Sequence, residues 1–204
     1  MCKSKGRKIR HGVESLTSAF LFVFQHIPVV GPWMGPMCIP LATYIFSTLW
    51  VYPEFLDPTA HLLLFSERLM FGRIVAIIGF IVFLVALIQF LKGHGGLVTS
   101  GLYLVVRHPQ YFGLIVMTLG ITMMCIKYSG LHVEFVNVWL IQVLGYVLLA
   151  SYEEQHLLRE YEKEYQRYKQ KAPLVLPIPR VPKIPEALLT MAVALIITFL
   201  LQLL

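Results

Sequence analysis

Residues 69–91 read LMFGRIVAIIGFIVFLVALIQFL. A helix needs about 20 predominantly apolar residues to cross a bilayer, and this run supplies them without a break. Working outward, further apolar runs occupy Val13–Val30, Met34–Tyr52, Phe112–Lys127, Val133–Tyr152 and Ala187–Leu204. The chain of 204 residues is 57% hydrophobic and only 14% charged. The pattern predicts an all-α, polytopic transmembrane helix bundle of about five to six membrane segments. A membrane barrel would show short alternating segments separated by turns, and none is visible.

Pro28, Pro32, Pro36 and Pro40 separate the first two runs at four-residue steps, with Gly31 and Gly35 among them. Proline removes a helical hydrogen bond and clashes with the preceding turn, so a break or a re-entrant hairpin is expected there. Basic residues cluster at Lys3–Arg10 and Arg159–Lys183, whereas Pro53–Glu67 is acidic. The positive-inside rule places both basic clusters in the cytosol and the acidic linker outside. One crossing by Leu69–Leu91 then delivers Lys92–His108 to the cytosol, and a hairpin through Lys127–Leu131 returns Glu153 to the same side. The first forty residues do not fit this count unless Val13–Val30 lies in the interface or the N-terminal charges are translocated. No small-residue cleavage site follows Met1–Arg10, so the segment is expected to be retained.

The net charge of +6 raises nucleic acid as a partner. The cations sit beside apolar segments, however, which is the pattern of membrane orientation and anionic-lipid contact. No nucleic acid is expected. Cys2, Cys38 and Cys125 are too scattered for a disulfide framework or a thiolate site, and the histidines show no metal-ligand spacing, so no metal is expected.

Chemistry is concentrated in two polar blocks. The first is Gly101-Leu-Tyr-Leu-Val-Val-Arg-His-Pro-Gln-Tyr-Phe-Gly113, between two apolar runs, and the second is Glu153 to Pro177. Groups as polar as Arg107 and His108 are costly at a membrane boundary unless they contact something. They could be anchors snorkelling to headgroups. Glu153 and Glu154 could be a solvated helix start. Leu157, Leu158, Tyr161, Tyr165 and Tyr168 make a stripe on a charged helix, expected either to lie against the bundle or to continue the preceding span into water. Gln89 has two open readings, a bond inside the bundle or a place facing a pocket. Ala172 to Pro182 reads as an extended, proline-stiffened strap.

Gly95-Gly96-Leu97-Val98, Gly101-Leu-Tyr103, Arg107-His-Pro-Gln-Tyr111-Phe-Gly113 and Glu153-Glu154-Gln-His-Leu157 resemble the isoprenylcysteine carboxyl methyltransferase family. These are integral-membrane enzymes that use S-adenosylmethionine. The resemblance covers about Gly93–Pro179. It implies a methyltransferase core over 93–185, and the apolar runs on either side are expected to supply N-terminal membrane segments over 1–92 and a C-terminal membrane helix over 186–204. It implies a cofactor pocket on the cytosolic face lined by Gly95, Gly96, Leu97, Val98, Tyr103, His108, Pro109, Gln110, Tyr111 and Glu153. Arg107, His108 and Glu154 are the catalytic candidates. Tyrosine faces attract a sulfonium, and a glutamate accepts charge-assisted bonds from amino or ribose groups. A carboxylate acceptor needs alignment and water exclusion more than acid–base help, whereas an amine needs a base, for which Glu154 or His108 is nearest.

One position departs from the family. Where it usually carries an arginine four residues before the first glutamate, this chain has Leu149. The implied reaction is methyl transfer to a lipophilic, membrane-associated acceptor. A phospholipid amine becomes an alternative acceptor, and a non-catalytic lipid-binding membrane protein a second alternative. Oligomeric state is left open.

Overall fold

The computed structural model describes residues 34–56, 65–93, 96–178 and 184–202. Val13–Val30, Pro28 and Pro32 lie outside them. Among the described residues there are five α-helices and no strand. They are α1 Met34–Val51, α2 Met70–Lys92, α3 Pro109–Ser129, α4 His132–Lys171 and α5 Glu186–Gln202. Three helices among the described residues are long and apolar enough to cross a membrane, namely α2 (with the turn before it, from Glu67), α3 and α4; α1 and α5 are shorter apolar helices. This is the all-α membrane bundle that the hydropathy predicts.

One expectation changes in detail, and one open alternative is decided. The helix α1 begins at Met34 and runs through Pro40. The space for that proline comes from α4, where Gly145 faces it: a Cβ at Gly145 would stand 3.2 Å from Pro40 Cβ. The stripe after Tyr152 takes the second of its two expected courses, since α4 carries it on from the span to Lys171, across a break in helical geometry at Glu162. Its axis kinks at Glu162, whose φ of 34° and ψ of −108° are strained for a residue with a Cβ.

Backbone proximity holds α2 against α3. A Cβ at Gly79 would lie 2.2 Å from Met117 N, and one at Gly120 would lie 2.3 Å from Ala76 N. Gly72 and Gly113 extend the same seam. Lipid tails give no hydrophobic drive between helices, so close van der Waals contact through small residues does the work. The outer face of α2 remains apolar and open, with Phe71, Ile78 and Ile81 all exposed, as a lipid-facing surface should be. Hydrogen bonds from side chains to backbone lace the other helices together. The Trp139 indole donates to Ile115 O at 3.2 Å, the Tyr44 hydroxyl to Thr118 O at 3.2 Å and the Tyr146 hydroxyl to Met37 O at 3.2 Å.

The turn after α3 is the expected short hairpin. Gly130 adopts φ 73° and donates to Ile126 O at 2.8 Å, a left-handed helix stop that glycine accommodates without cost. Since α2 ends and α3 begins at one end of the bundle, and this hairpin brings α4 back to it, Lys92, His108 and Glu153 gather together. That end carries the candidate site.

Candidate active site

The site is assembled from four pieces of chain. The first is the junction between α2 and α3, which contains a 3-10 turn over Gly101–Leu104. Gly101 has φ 65°, and a Cβ there would fall 2.3 Å from Gln89 Nε2. Gln89 Oε1 accepts from Leu102 N at 3.0 Å, which settles the two readings of this glutamine in favour of a bond that pins the junction. Pro109 is the first residue of α3, where its missing N–H is harmless and its ring sets the helical φ. His108 just before it, at φ −122° and ψ 66°, stays out of the helical region that a following proline disfavours.

The strap is the second piece. Arg107 N donates to Pro173 O at 2.8 Å and His108 N to Leu174 O at 3.1 Å. The strap carbonyls thus satisfy the two amides that would otherwise be orphaned at a buried loop. Residues 66 positions apart are locked together by backbone alone, which fixes where the two side chains point.

The third and fourth pieces are α4 and the start of α5. The Arg107 side chain is 1% exposed and forms ion pairs with Glu154 of α4 and Glu186 of α5. Lys169 Nζ lies 2.7 Å from the second oxygen of Glu154. Two cations and two carboxylates therefore balance. Neither bland reading survives at these residues: Arg107 and His108 are buried rather than snorkelling, and Glu154 is a buried mid-helix residue rather than a solvated helix start.

Glu153 serves a second cluster. The Tyr111 hydroxyl donates to Glu153 Oε2 at 2.8 Å, and His108 Nδ1 stands 3.3 Å from the same oxygen. The rings of His108 and Tyr111 stack at 5.3 Å with planes 6° apart, and Tyr111 stacks on Tyr146 at 5.3 Å. His108 Nε2 is buried with no hydrogen-bond partner among the described residues. Such a group is costly unless a ligand or water meets it.

Below these residues lies a tyrosine cluster of Tyr103, Tyr165 and Tyr168, with Leu97 and Val98 packed against it. The Tyr168 hydroxyl donates to Tyr103 O at 2.7 Å. Burial, then the neighbouring Glu153 charge, pushes the Tyr103 phenol well above its ordinary range, and a hydrogen bond with Gln110 acts the other way. Tyr103 is therefore a neutral group at any physiological pH.

The structure brings together Tyr103, Arg107, His108, Pro109, Tyr111, Glu153 and Glu154, and places Gln110, Leu97 and Val98 beside Tyr103. Gly96 is exposed at the edge of the junction. Gly95 lies outside the described residues. Sequence reasoning missed Lys169 and Glu186. A single carboxylate opening an otherwise apolar helix was the available signal for Glu186.

Residues 80–164 match the phospholipid methyltransferase family model. That stretch takes in the second half of α2, the junction and Glu153–Glu154, so both halves of the site fall inside it. Lys169, the strap and Glu186 fall beyond it. Members of that family are methyltransferases that generally use S-adenosylmethionine, and the family shares an integral-membrane superfamily with the isoprenylcysteine carboxyl methyltransferases. Together with the three long apolar helices, the match supports an integral-membrane methyltransferase with a membrane-lipid-related substrate. No curated protein and no solved structure matches the chain. Among the described residues no group of three or more histidine, cysteine, aspartate or glutamate side chains could hold a metal ion.

Proposed function

We propose that this protein transfers a methyl group from S-adenosylmethionine to the amine of a phospholipid headgroup. The carrying observation is the match over residues 80–164 to the phospholipid methyltransferase family. Leu149 supports the same reading: it is a half-buried apolar residue where a carboxylate-binding arginine would serve a prenylcysteine acceptor. The site also suits a cationic or amine ligand, since the Glu153 carboxylate sits beside His108 and Tyr111 of an aromatic stack that Tyr146 continues.

The donor set fits the cofactor. His108 Nε2 offers a buried, unmet polar atom, Glu153 a carboxylate for amino or ribose groups, and Tyr103 and Tyr111 neutral aromatic walls. Bound there, S-adenosylmethionine supplies an electrophilic methyl group on a sulfonium. The chain itself must align the acceptor, exclude water and take a proton from the ammonium so that its lone pair is free.

His108 is the better base of the two candidates. Glu154 is committed to Arg107 and Lys169, whereas His108 has one nitrogen turned to Glu153 and the other unmet. If Glu153 accepts from Nδ1–H, the lone pair sits on Nε2 and the imidazole is oriented as a base. Arg107 is then a positioning residue. Its ion pairs with Glu154 and Glu186 clamp the loop that carries His108.

The test is methyl transfer by the purified full chain in mixed micelles, with labelled cofactor and either phosphatidylethanolamine or a farnesylcysteine as acceptor. Label entering the phospholipid and lost in His108→Ala is the expected result. Label entering only the farnesylcysteine would overturn the amine assignment and leave the carboxyl reading. Folded protein that binds neither the cofactor nor its demethylated product would overturn both.

A further inference from the structure

Beyond the stacked aromatic site, the polar end of α4 forms one wall of an open cleft of about 640 Å³. Lys163, Arg167 and Lys171 line it, together with Tyr168 and with Thr99 and Leu104 of the junction. One carboxylate, Glu164, shares the cleft, which leaves two net positive charges. The three cations are four residues apart, so they stand one above the next along a single helical face. Each is exposed, and none forms a salt bridge among the described residues. Lys169 belongs to a different face and is already taken by Glu154.

An independent feature adjoins this cleft. Leu104, which lines it, is 64% exposed, and Val105 beside it is 51% exposed. Two bare aliphatic residues next to a row of unpaired cations is the arrangement of a surface set at headgroup depth. The aliphatic groups enter the acyl boundary and the cations meet phosphate. The junction that supplies Thr99 and Leu104 joins two helices of membrane length, and α4 reaches the cleft from a third, past its kink at Glu162, so the cleft lies beside the ends of transmembrane segments.

We propose that this cleft binds the phosphate group of an anionic membrane phospholipid, as a site separate from the one that holds His108. Lys163, Arg167 and Lys171 supply the charge, Thr99 a hydroxyl donor, and Leu104 the apolar contact for the upper acyl chain. Through Tyr168, which both lines the cleft and donates to Tyr103 O, the bound lipid buttresses the tyrosine cluster under the junction.

The experiment uses the full chain in detergent and native mass spectrometry with short-chain phosphatidylglycerol or phosphatidylcholine. Phosphatidylglycerol adducts should be retained and phosphatidylcholine adducts shed. The triple change Lys163→Ala, Arg167→Ala and Lys171→Ala should cut retention at least roughly tenfold while melting stays put. Arg167→Ala alone should cut it partly, and Lys163→Arg with Lys171→Arg should preserve it. Equal retention of both lipids, or retention unchanged in both the triple variant and Arg167→Ala, would overturn the proposal. Displacement of phosphatidylglycerol by millimolar inorganic phosphate would assign the cleft to a free anion and overturn the lipid source. Lipid retention is read without methyl transfer, so this outcome and that of the proposed reaction are independent.

Discussion

The helix α3 takes part in two kinds of structure. Along its length it meets α2 through glycines, with backbone against backbone and no charge. At its N-terminal end it meets a strap, a buried arginine and three carboxylates. The seam selects for the absence of side-chain atoms, and any added atom must displace main chain. The polar end depends on particular atoms being present, and any removed charge leaves a partner stranded. The seam therefore has no chemistry to offer, while the polar end has fixed, buried groups that can act on a ligand.

The sharpest test of this contrast is Arg107→Leu. With Glu154 and Glu186 left facing an apolar side chain, the variant should lose about 3–5 kcal/mol. Adding Glu186→Gln should return part of that loss. Thermal melting in detergent reads both, and a melting point unmoved by Arg107→Leu would mean the charged end does not support the fold.

Next in size is Gly79→Val in the seam. Overpacking ordinarily costs about 1–3 kcal/mol, and contact with Met117 backbone puts this case at the upper end. The fraction that folds should bind cofactor normally. A variant with native melting and weakened binding would erase the separation of the two regions.

His108→Ala and Glu153→Gln should show the reverse pattern. Each removes a charge-assisted or buried hydrogen bond, so affinity for S-adenosylhomocysteine should fall about 10–100-fold. Calorimetric titration of the detergent-solubilised chain measures this. Unchanged affinity in both variants would remove Glu153 and His108 from the cofactor site.

The smallest effect concerns the kink in α4. Glu162→Gly relieves a positive φ and should raise stability by about 1 kcal/mol, without touching either region. A loss of stability would show that the Glu162 side chain holds something more valuable than the strain it costs.

Much of this was legible before any coordinates. The apolar runs after the first thirty residues became helices, close to their expected bounds except that α4 runs past Tyr152 to Lys171, because a span announces itself within about 20 consecutive residues. Charge counting brought Lys92–His108 and Glu153 to the same end, and His108 Nδ1 lies 3.3 Å from Glu153 Oε2 there. The glycine seam was hidden, although Gly72 and Gly79 on one helix and Gly113 and Gly120 on the other share a seven-residue spacing. Glycines inside apolar runs carry no hydropathy signal, and their purpose appears only when a second helix lies against them. Pro40 misled in the opposite sense, since the glycine that accommodates it lies on α4.

By itself the sequence determined that the chain is a membrane helix bundle and that two polar blocks share one end of it. These follow from composition along short windows, which solvent and lipid read locally. Only the tertiary structure decided which charges neutralise which. Arg107 meets Glu154 and Glu186 across 47 and 79 positions of chain, and Lys169, not its neighbours Lys163, Arg167 and Lys171, turns inward to join them. Ion pairing depends on separations of a few ångströms inside a low-dielectric interior. Sequence distance carries almost none of that information, so the electrostatic character of this site belongs to the fold.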